Sequence, residues 1–295
     1  MHWTGTLNPT AFEFGSLRVQ WYGIFITLGM LMSLGISIRR MRKLGVKTEE
    51  MMVLFLIAIP MAIVFARIGS VVANYKEYFV TPYDWNAFVK TIAIWNGGLT
   101  ILWGVPGGAL GGLIWAKIYK KDFIACADII LPTALWAQGL GRWGNFMNQE
   151  LYGQLVTNPS LQFFPYAVFI ADEMAWFQAT FFYELVADWM GFFLLTYLCR
   201  RVHLRGFGVL SYTAVYTFIR GVLESVRSET SSVDQQLGFN AVQVLCLVVA
   251  GLCLLAIVLL WVRARKKGKK VFYREGAPVG YPREPADEPA TPEVA

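Results

Sequence analysis

Seven apolar runs, each near the length that crosses a bilayer, leave this chain little choice of fold. They cover about 20–38, 50–73, 93–119, 123–140, 178–199, 207–227 and 239–262. A helix needs roughly 20 apolar residues to cross the hydrocarbon core. Only helices and closed barrels satisfy their own backbone groups there. Composition agrees: 56% of residues are hydrophobic and 16% charged, where a soluble chain carries about 25% charged residues. The expected fold is an all-α polytopic integral membrane protein of about seven transmembrane helices.

Charge placement gives the runs a direction. Arg39, Arg40, Arg42 and Lys43 follow the first run, Lys117, Lys120 and Lys121 the third, and Arg200, Arg201 and Arg205 the fifth. Arg263, Arg265, Lys266, Lys267, Lys269 and Lys270 follow the last. With seven crossings every basic cluster falls on one side, which the positive-inside rule makes cytoplasmic. The N-terminus is then outside and the C-terminus inside. MHWTGTLNPTAFEFG lacks a basic start, so the first run is expected to be retained rather than cleaved. Residues 1–270 read as one seven-helix domain. Residues 271–295, rich in Pro, Glu and Ala, read as a disordered cytoplasmic tail.

Several local features carry their own expectations. Pro60 should kink the second span, and Arg67 near its outer end should snorkel or pair. Residues 74–92 and 154–177 read as external loops, and residues 1–18 as a short exposed segment. The third run contains Gly97-Gly98, Gly104, Gly107-Gly108 and Gly111-Gly112. Such a run either packs closely against a neighbour or leaves the helix to expose backbone donors. Cys126, Cys199, Cys246 and Cys253 sit in or beside apolar runs and read as small buried hydrophobes.

Two polar series interrupt the apolar pattern. Arg142, Asn145, Asn148 and Glu150 fall within GRWGNFMNQELYG, at the end of the fourth run. Tyr216, Arg220 and Glu224 recur every four residues on one face of the sixth, with Arg227 one turn on. Glu184 and Asp188 share a face of the fifth. Charges inside a membrane either pair structurally or mark a ligand site, and Arg220 with Glu224 alone fits both readings. Two arginine forks, each with acid and amide companions, suit the oxygens of a phospholipid headgroup. The chain has no HExxH, Walker A or GxSxG pattern and no zinc-ligand spacing, and its histidines are His2 and His203. Neither a metal nor another cofactor is expected, nor is nucleic acid a partner.

These residues resemble a known family, the bacterial prolipoprotein diacylglyceryl transferases. GRWGNFMNQELYG is similar to the family signature GRxxNFxNxExxG, and Tyr216, Arg220, Glu224 and Arg227 to its YxxxRxxxExxR series. Trp21-Tyr22-Gly23 resembles the family's WYG, Trp95 with Gly97-Gly98-Leu99 its glycine-rich element, and TFFYE its TFLYE-like segment. The resemblance runs from about residue 8 to 265.

The resemblance implies transfer of diacylglyceryl from phosphatidylglycerol to the lipobox cysteine of preprolipoprotein signal peptides. A thioether forms and glycerol phosphate leaves. It marks Tyr22, Arg142, Asn145, Glu150, Gly153, Tyr216, Arg220 and Glu224 as important positions. In the expected mechanism a thiolate attacks the terminal glyceryl carbon. Arg142 and Arg220 stabilise the leaving phosphate, and Glu150 or Glu224 accepts the thiol proton. Tyr22 and Tyr216 orient the headgroup, with Asn148 and Arg227 beside it. Asn145 holds ester oxygens or the signature turn, and Gly153 allows a tight backbone path. The expected location is the cell membrane, with the site toward the outer leaflet and the protein working as a monomer.

Two departures stand out. Where the family carries the histidine of HGG, proposed there as the catalytic base, this chain has Leu102. Where the family has HPT, it has Gln178-Ala179-Thr180. Leucine takes no proton, so either the base lies elsewhere or activity is altered. The alternative expectation is a non-catalytic lipid- or lipoprotein-binding relative, or an anionic-lipid transporter, on the same scaffold.

Overall fold

The computed structural model describes residues 7–15, 17–79, 85–94, 100–227, 240–268 and 271. It is predominantly helical, as a polytopic membrane protein should be. The helices are α1 (Trp21–Met41), α2 (Thr48–Ala73), α3 (Tyr75–Tyr78), α4 (Trp85–Ile92) and α5 (Ile101–Ile118). They continue with α6 (Phe123–Met147), α7 (Thr180–Cys199), α8 (Phe207–Glu224) and α9 (Ala241–Lys266). Among the described residues five are long and apolar enough to cross a membrane: α1, α2, α6, α7 and α9. The helices α5 and α8 are 18 residues each, and α8 carries Arg220 and Glu224.

The expectation of an all-α chain needs correction. Two antiparallel hairpins are present: β1 (Thr10–Phe14) with β2 (Leu17–Gln20), and β3 (Ala167–Ile170) with β4 (Ala175–Gln178). The first replaces most of the exposed segment expected before α1, and the second lies in the expected loop 154–177. In β3–β4, Ala167 pairs with Gln178 and Ile170 with Ala175. The hairpin lies beyond the expected spans, where short alternating strands can use one apolar face. That face buries Val168 and Ile170 with Phe181, against Trp143 and Phe146 of α6. The loop expected at 74–92 holds α3 and α4. The tail beyond residue 271, and Trp95 with Gly97, Gly98 and Leu99, lie outside the described residues, as does the side chain of Leu102.

Contacts divide the chain into two compact units, Met1–Leu44 with Ala127–Ala295, and Gly45–Cys126. In the second unit α2 packs along α5, and the α5 glycines explain how. A Cβ on Gly111 would lie 2.8 Å from the Ala58 Cα, and one on Gly107 would lie 2.7 Å from the Met61 carbonyl oxygen. Helices approach this closely only where side chains are absent, so the glycine run serves packing over this stretch. Gly69 of α2 similarly receives Trp103 of α5. Arg67 is 7% exposed. It donates to the carbonyls of Thr91 (2.9 Å) and Lys90 (2.5 Å) and to the Tyr78 hydroxyl (3.2 Å). At the other end of α2, Glu50 accepts from its own Lys47 backbone N–H (3.0 Å) and pairs with Lys121 (3.1 Å).

The first unit holds α1, most of α6, and α7 to α9. Small residues again set the approach of helices. A Cβ on Gly29 of α1 would lie 3.0 Å from the Ala137 backbone of α6, and one on Gly191 of α7 would lie 2.7 Å from Val215 of α8. Buried hydroxyls join α1 to α6: Thr133 Oγ1 lies 2.6 Å from Ser33 Oγ and 3.0 Å from Ser37 Oγ. The start of α8 is fixed by Asp128 of α6, whose carboxylate accepts from Gly206 N (2.7 Å) and Val209 N (2.9 Å). Gly206 has φ +89°, which glycine adopts without a Cβ penalty.

The seam of α5 on α2 can be tested directly. Gly111→Val places a side chain against Ala58 backbone, which cannot rotate away. The expected outcome is a folded-state destabilisation of about 1–3 kcal/mol, read as a lowered melting temperature in detergent. Gly251→Ala, where a Cβ meets nothing within 4 Å inside a helix, should not lower it and should raise it slightly, since alanine favours the helix over glycine by about 0.5–1 kcal/mol.

Candidate functional site

The candidate site forms where α6 ends, α7 begins and α8 ends, all within the first unit. Arg142 and Asn145 lie on the last turns of α6, which continues to Met147. The helix is therefore longer than the span expected at 123–140, and carries the signature out with it. It stops in a turn with two left-handed residues, Gln149 (φ +52°) and Leu151 (φ +56°). Such conformations are unfavourable for side chains other than glycine and need support. The support is visible. Thr180 Oγ1 donates to the Leu151 carbonyl (2.5 Å). The Gln149 amide donates to the Phe169 carbonyl (3.3 Å) and accepts from Ala171 N (3.1 Å), which ties the turn to the hairpin.

Two glycines of the signature are explained by close approach. A Cβ on Gly144 would lie 3.0 Å from the Tyr22 Cα and would overlap the Tyr22 ring. That contact seats Tyr22 against the signature helix. Gly153 donates its N–H to the Gln178 carbonyl (2.9 Å) and forms a β-bridge with Arg227. A Cβ there would lie 2.7 Å from Gln178 Cβ and from Thr180 Cγ2. The tight path expected of Gly153 is therefore a meeting of three chain segments.

The charged groups form two clusters linked by Arg227. Glu184 of α7 is 1% exposed and takes both flanking arginines. It accepts from Arg142 Nη2, and its other oxygen from Arg227 Nη2 at 2.9 Å. Glu224 accepts from Arg220, one helical turn away, and lies 3.9 Å from Arg227 Nε. Glu150 stands apart from the arginines. It accepts from Asn145 Nδ2 at 2.8 Å and from Asn148 Nδ2 at 3.4 Å. Asn145 Oδ1 in turn accepts from Arg142 Nη1 at 3.3 Å. Glu150 is thus linked to Arg142 through Asn145.

The partners differ in access. The arginine side chains are 16% (Arg142) and 21% (Arg220) exposed, while those of Glu184 and Glu224 are 2% and 5%. Each acid is buried more deeply than the arginine of its pair, whose side chain stays partly exposed. Arg142 Nε and Arg227 Nε are buried donors with no hydrogen-bond partner among the described residues. The two acids that pair with arginine are buried, while Glu150 at the edge of the site is exposed and held by the amides of Asn145 and Asn148. Tyr216 stands beside the paired charges on α8, its ring stacked on that of Tyr212 at 6.2 Å and 10°.

Sequence reasoning left Glu184 outside the site, although its residue is the hub. The signal was available: it is an acid at the start of a span, within TFFYE. What the sequence could not supply was the register that sets position 184 opposite position 142.

The chain matches the family model "Prolipoprotein diacylglyceryl transferase" over residues 9–262. It is 35% identical to the phosphatidylglycerol–prolipoprotein diacylglyceryl transferase of Bacillus licheniformis, over 85% of this chain and 92% of that one. It is 36% identical to the Bacillus velezensis protein of that name, over 90% and 96% of the two chains. The Clostridium perfringens transferase 1 is 34% identical, over 90% and 99%.

The hub has a measurable consequence. Glu184→Ala leaves Arg142 and Arg227 facing each other without their shared acid. Breaking a buried pair from one side costs about 3–5 kcal/mol. The variant should melt well below the parent in detergent, whereas Asn148→Ala at the exposed edge should melt within a degree or so of it, since surface changes stay within about 0.5 kcal/mol.

Proposed function

The chain belongs to the prolipoprotein diacylglyceryl transferase family, and we propose a division of labour for its residues in that reaction. The enzyme moves the diacylglyceryl group of phosphatidylglycerol onto the thiol of a preprolipoprotein's lipobox cysteine. Glycerol phosphate is released and a thioether formed. In the proposed reading Arg142 and Arg220 hold the headgroup phosphate. The observation that carries it is the asymmetry of access, with partly exposed arginine side chains backed by buried acids.

The attacked carbon is sp3, so charge develops on the departing phosphate rather than on a carbonyl oxygen. Preformed donors aimed at that oxygen are the appropriate device. They act in a partly dry site, where charge interactions are stronger than in water. Glu184 and Glu224 fix the forks before substrate arrives, so little reorganisation is required. Arg227 locks the end of α8 to Gly153 and to Glu184. Glu150, through Asn145, sets the rotamer of Arg142, and Asn148 closes the turn. Tyr22 and Tyr216 flank the headgroup from α1 and α8.

The same reading places the site toward the outer leaflet, in a seven-span chain with its C-terminus in the cytoplasm. Within the first unit the arginine-rich helix ends lie away from the site. Arg40 at the end of α1 donates to Thr196 near the end of α7 (2.7 Å), and the signature lies at the opposite end of α7. Both substrates are amphiphiles, which suits entry from the bilayer.

The test uses purified full-length protein in liposomes with phosphatidylglycerol and a lipobox peptide. Glycerol phosphate release and the peptide's mass gain should rise together. Arg142→Ala and Arg220→Ala should each lower turnover by about 10²–10³-fold, the usual loss when one charge-stabilising donor is removed. Turnover by the unaltered chain also shows that histidine at position 102 is dispensable. Full activity in either alanine variant would overturn the assignment of the arginines.

A further inference from the structure

One helical turn beneath the arginine–glutamate layer, the same three helices supply a second polar layer. Arg142, Glu184 and Tyr216 are followed, four residues away on each helix, by Gln138, Asp188 and Tyr212. The helices α6 and α7 run antiparallel, so the pairing of Arg142 with Glu184 sets position 138 opposite 188. Packing of Gly139 against Leu185 and Trp189 holds that register. Gln138 Nε2 donates to the Tyr212 hydroxyl at 2.9 Å. The stacked rings of Tyr212 and Tyr216 connect the two layers. Below, Leu135, Phe192 and Leu195 close the bundle, and α1 presents Ile36 to this apolar floor.

Asp188 is the anomaly in this layer. It is 0% exposed, and neither carboxylate oxygen has a hydrogen-bond partner among the described residues. Gln138 Oε1 and Ser211 Oγ are likewise buried and without one. The other acids of the bundle's site are occupied: Glu184 by two arginines, Glu224 by Arg220, and Glu150 by two amides. A buried polar group without a partner is costly, and a buried charge without one more so. A proton or an ordered water relieves that cost. The oxygens of Asp188, Gln138 and Tyr212 lie at one level of the bundle and offer the two to four partners an ordered water needs.

We propose that Asp188 takes up the proton of the substrate cysteine, acting through Tyr216. This rests on the reading of Arg142 and Arg220 as phosphate holders. The sulfur forms the S–C bond to the terminal glyceryl carbon. The C–O bond to phosphate breaks, and its electron pair leaves with the phosphate. The S–H proton passes to the Tyr216 oxygen, while the Tyr216 hydroxyl proton moves across an ordered water to Asp188. After glycerol phosphate departs, Asp188 returns the proton to water entering the headgroup site. The charged and titratable groups around Asp188 are Arg142 from α6, Glu184 from α7, and Tyr212 and Tyr216 from α8. Asp188 does not touch substrate. It is a positioning residue for the proton, and it offers an acceptor in a chain with leucine at position 102.

The test is Asp188→Asn, which keeps the side-chain shape but takes no proton, in the full-length protein with phosphatidylglycerol liposomes and a lipobox peptide. Turnover should fall by about 10²-fold or more, the usual contribution of a proton acceptor, with KM for phosphatidylglycerol within twofold of the parent. In the parent, rate falls at low pH as the acceptor fills. That acidic limb should vanish in Asp188→Asn, and Asp188→Glu should restore part of both rate and limb. Tyr216→Phe should show the same loss, and the double variant should be no worse than the poorer single one. Unchanged turnover and pH profile in Asp188→Asn would overturn the proposal. So would a loss that tracks a lowered melting temperature while the acidic limb persists. If Asp188→Asn does not fold, Tyr216→Phe decides by the same limb. Failure of the phosphate reading shows separately, as retained activity in Arg142→Ala.

Discussion

Glu184 brings a carboxylate into a part of the bundle that water scarcely reaches, and much of the site depends on how that charge is met. An isolated anion there would be prohibitively costly. The chain meets it from two directions, with Arg142 from α6 and Arg227 from the segment after α8. One acid thereby ties together three segments that are far apart in sequence. Attraction between buried charges repays desolvation only when geometry is good and the remaining donors and acceptors are used. The neighbours are arranged accordingly. Asn145 accepts from Arg142, Glu150 orients Asn145, and the Gly153 bridge holds Arg227 in place.

That arrangement requires backbone contacts that ordinary side chains would prevent. Gly144 admits Tyr22, Gly139 admits α7, and Gly153 admits the strand end at Gln178 and Thr180. The charged hub and the glycine positions are therefore one design rather than two. In a bilayer the apolar side chains gain nothing from leaving water, so association relies on close packing and polar contacts. A helix that must deliver an arginine to a set depth needs both. The Asp128 cap on α8 serves the same end at the other side of the bundle, fixing where Arg220 and Glu224 fall along α8.

Much of this was legible in the sequence, and the limits are physical. Apolar runs and basic clusters located the helices, because in lipid the backbone has few alternatives. The four-residue spacing of Tyr216, Arg220 and Glu224 put them on one face without knowledge of any neighbour. The spacing of Arg142 and Asn145 likewise placed them together. Partner choice was not legible. Glu150 lies closer in sequence to Arg142 than Glu184 does, yet Glu184 makes the ion pair, because antiparallel packing of α6 and α7 sets the register. The hairpins also escaped notice. Four-residue strands such as AVFI and AWFQ carry too little alternation to stand out beside spans of similar composition.

The absence of an imidazole at position 102 is less disabling on this architecture than the comparison of motifs suggests. The reaction makes two distinct demands, one on a phosphate and one on a thiol proton. A group that binds phosphate through arginine is a poor place to store a proton, because the arginines favour negative charge nearby. Separating the two functions along the helix axis resolves that conflict. The outer layer pairs Glu184 and Glu224 with arginine, and the inner layer keeps an acid with no hydrogen-bond partner among the described residues. A single helical turn is the smallest step that keeps the same three helices in contact while changing every side chain at the level. On the proposed reading the distance between phosphate and proton chemistry is set by that repeat. It would then be robust to replacement of any residue on the glycine-rich element.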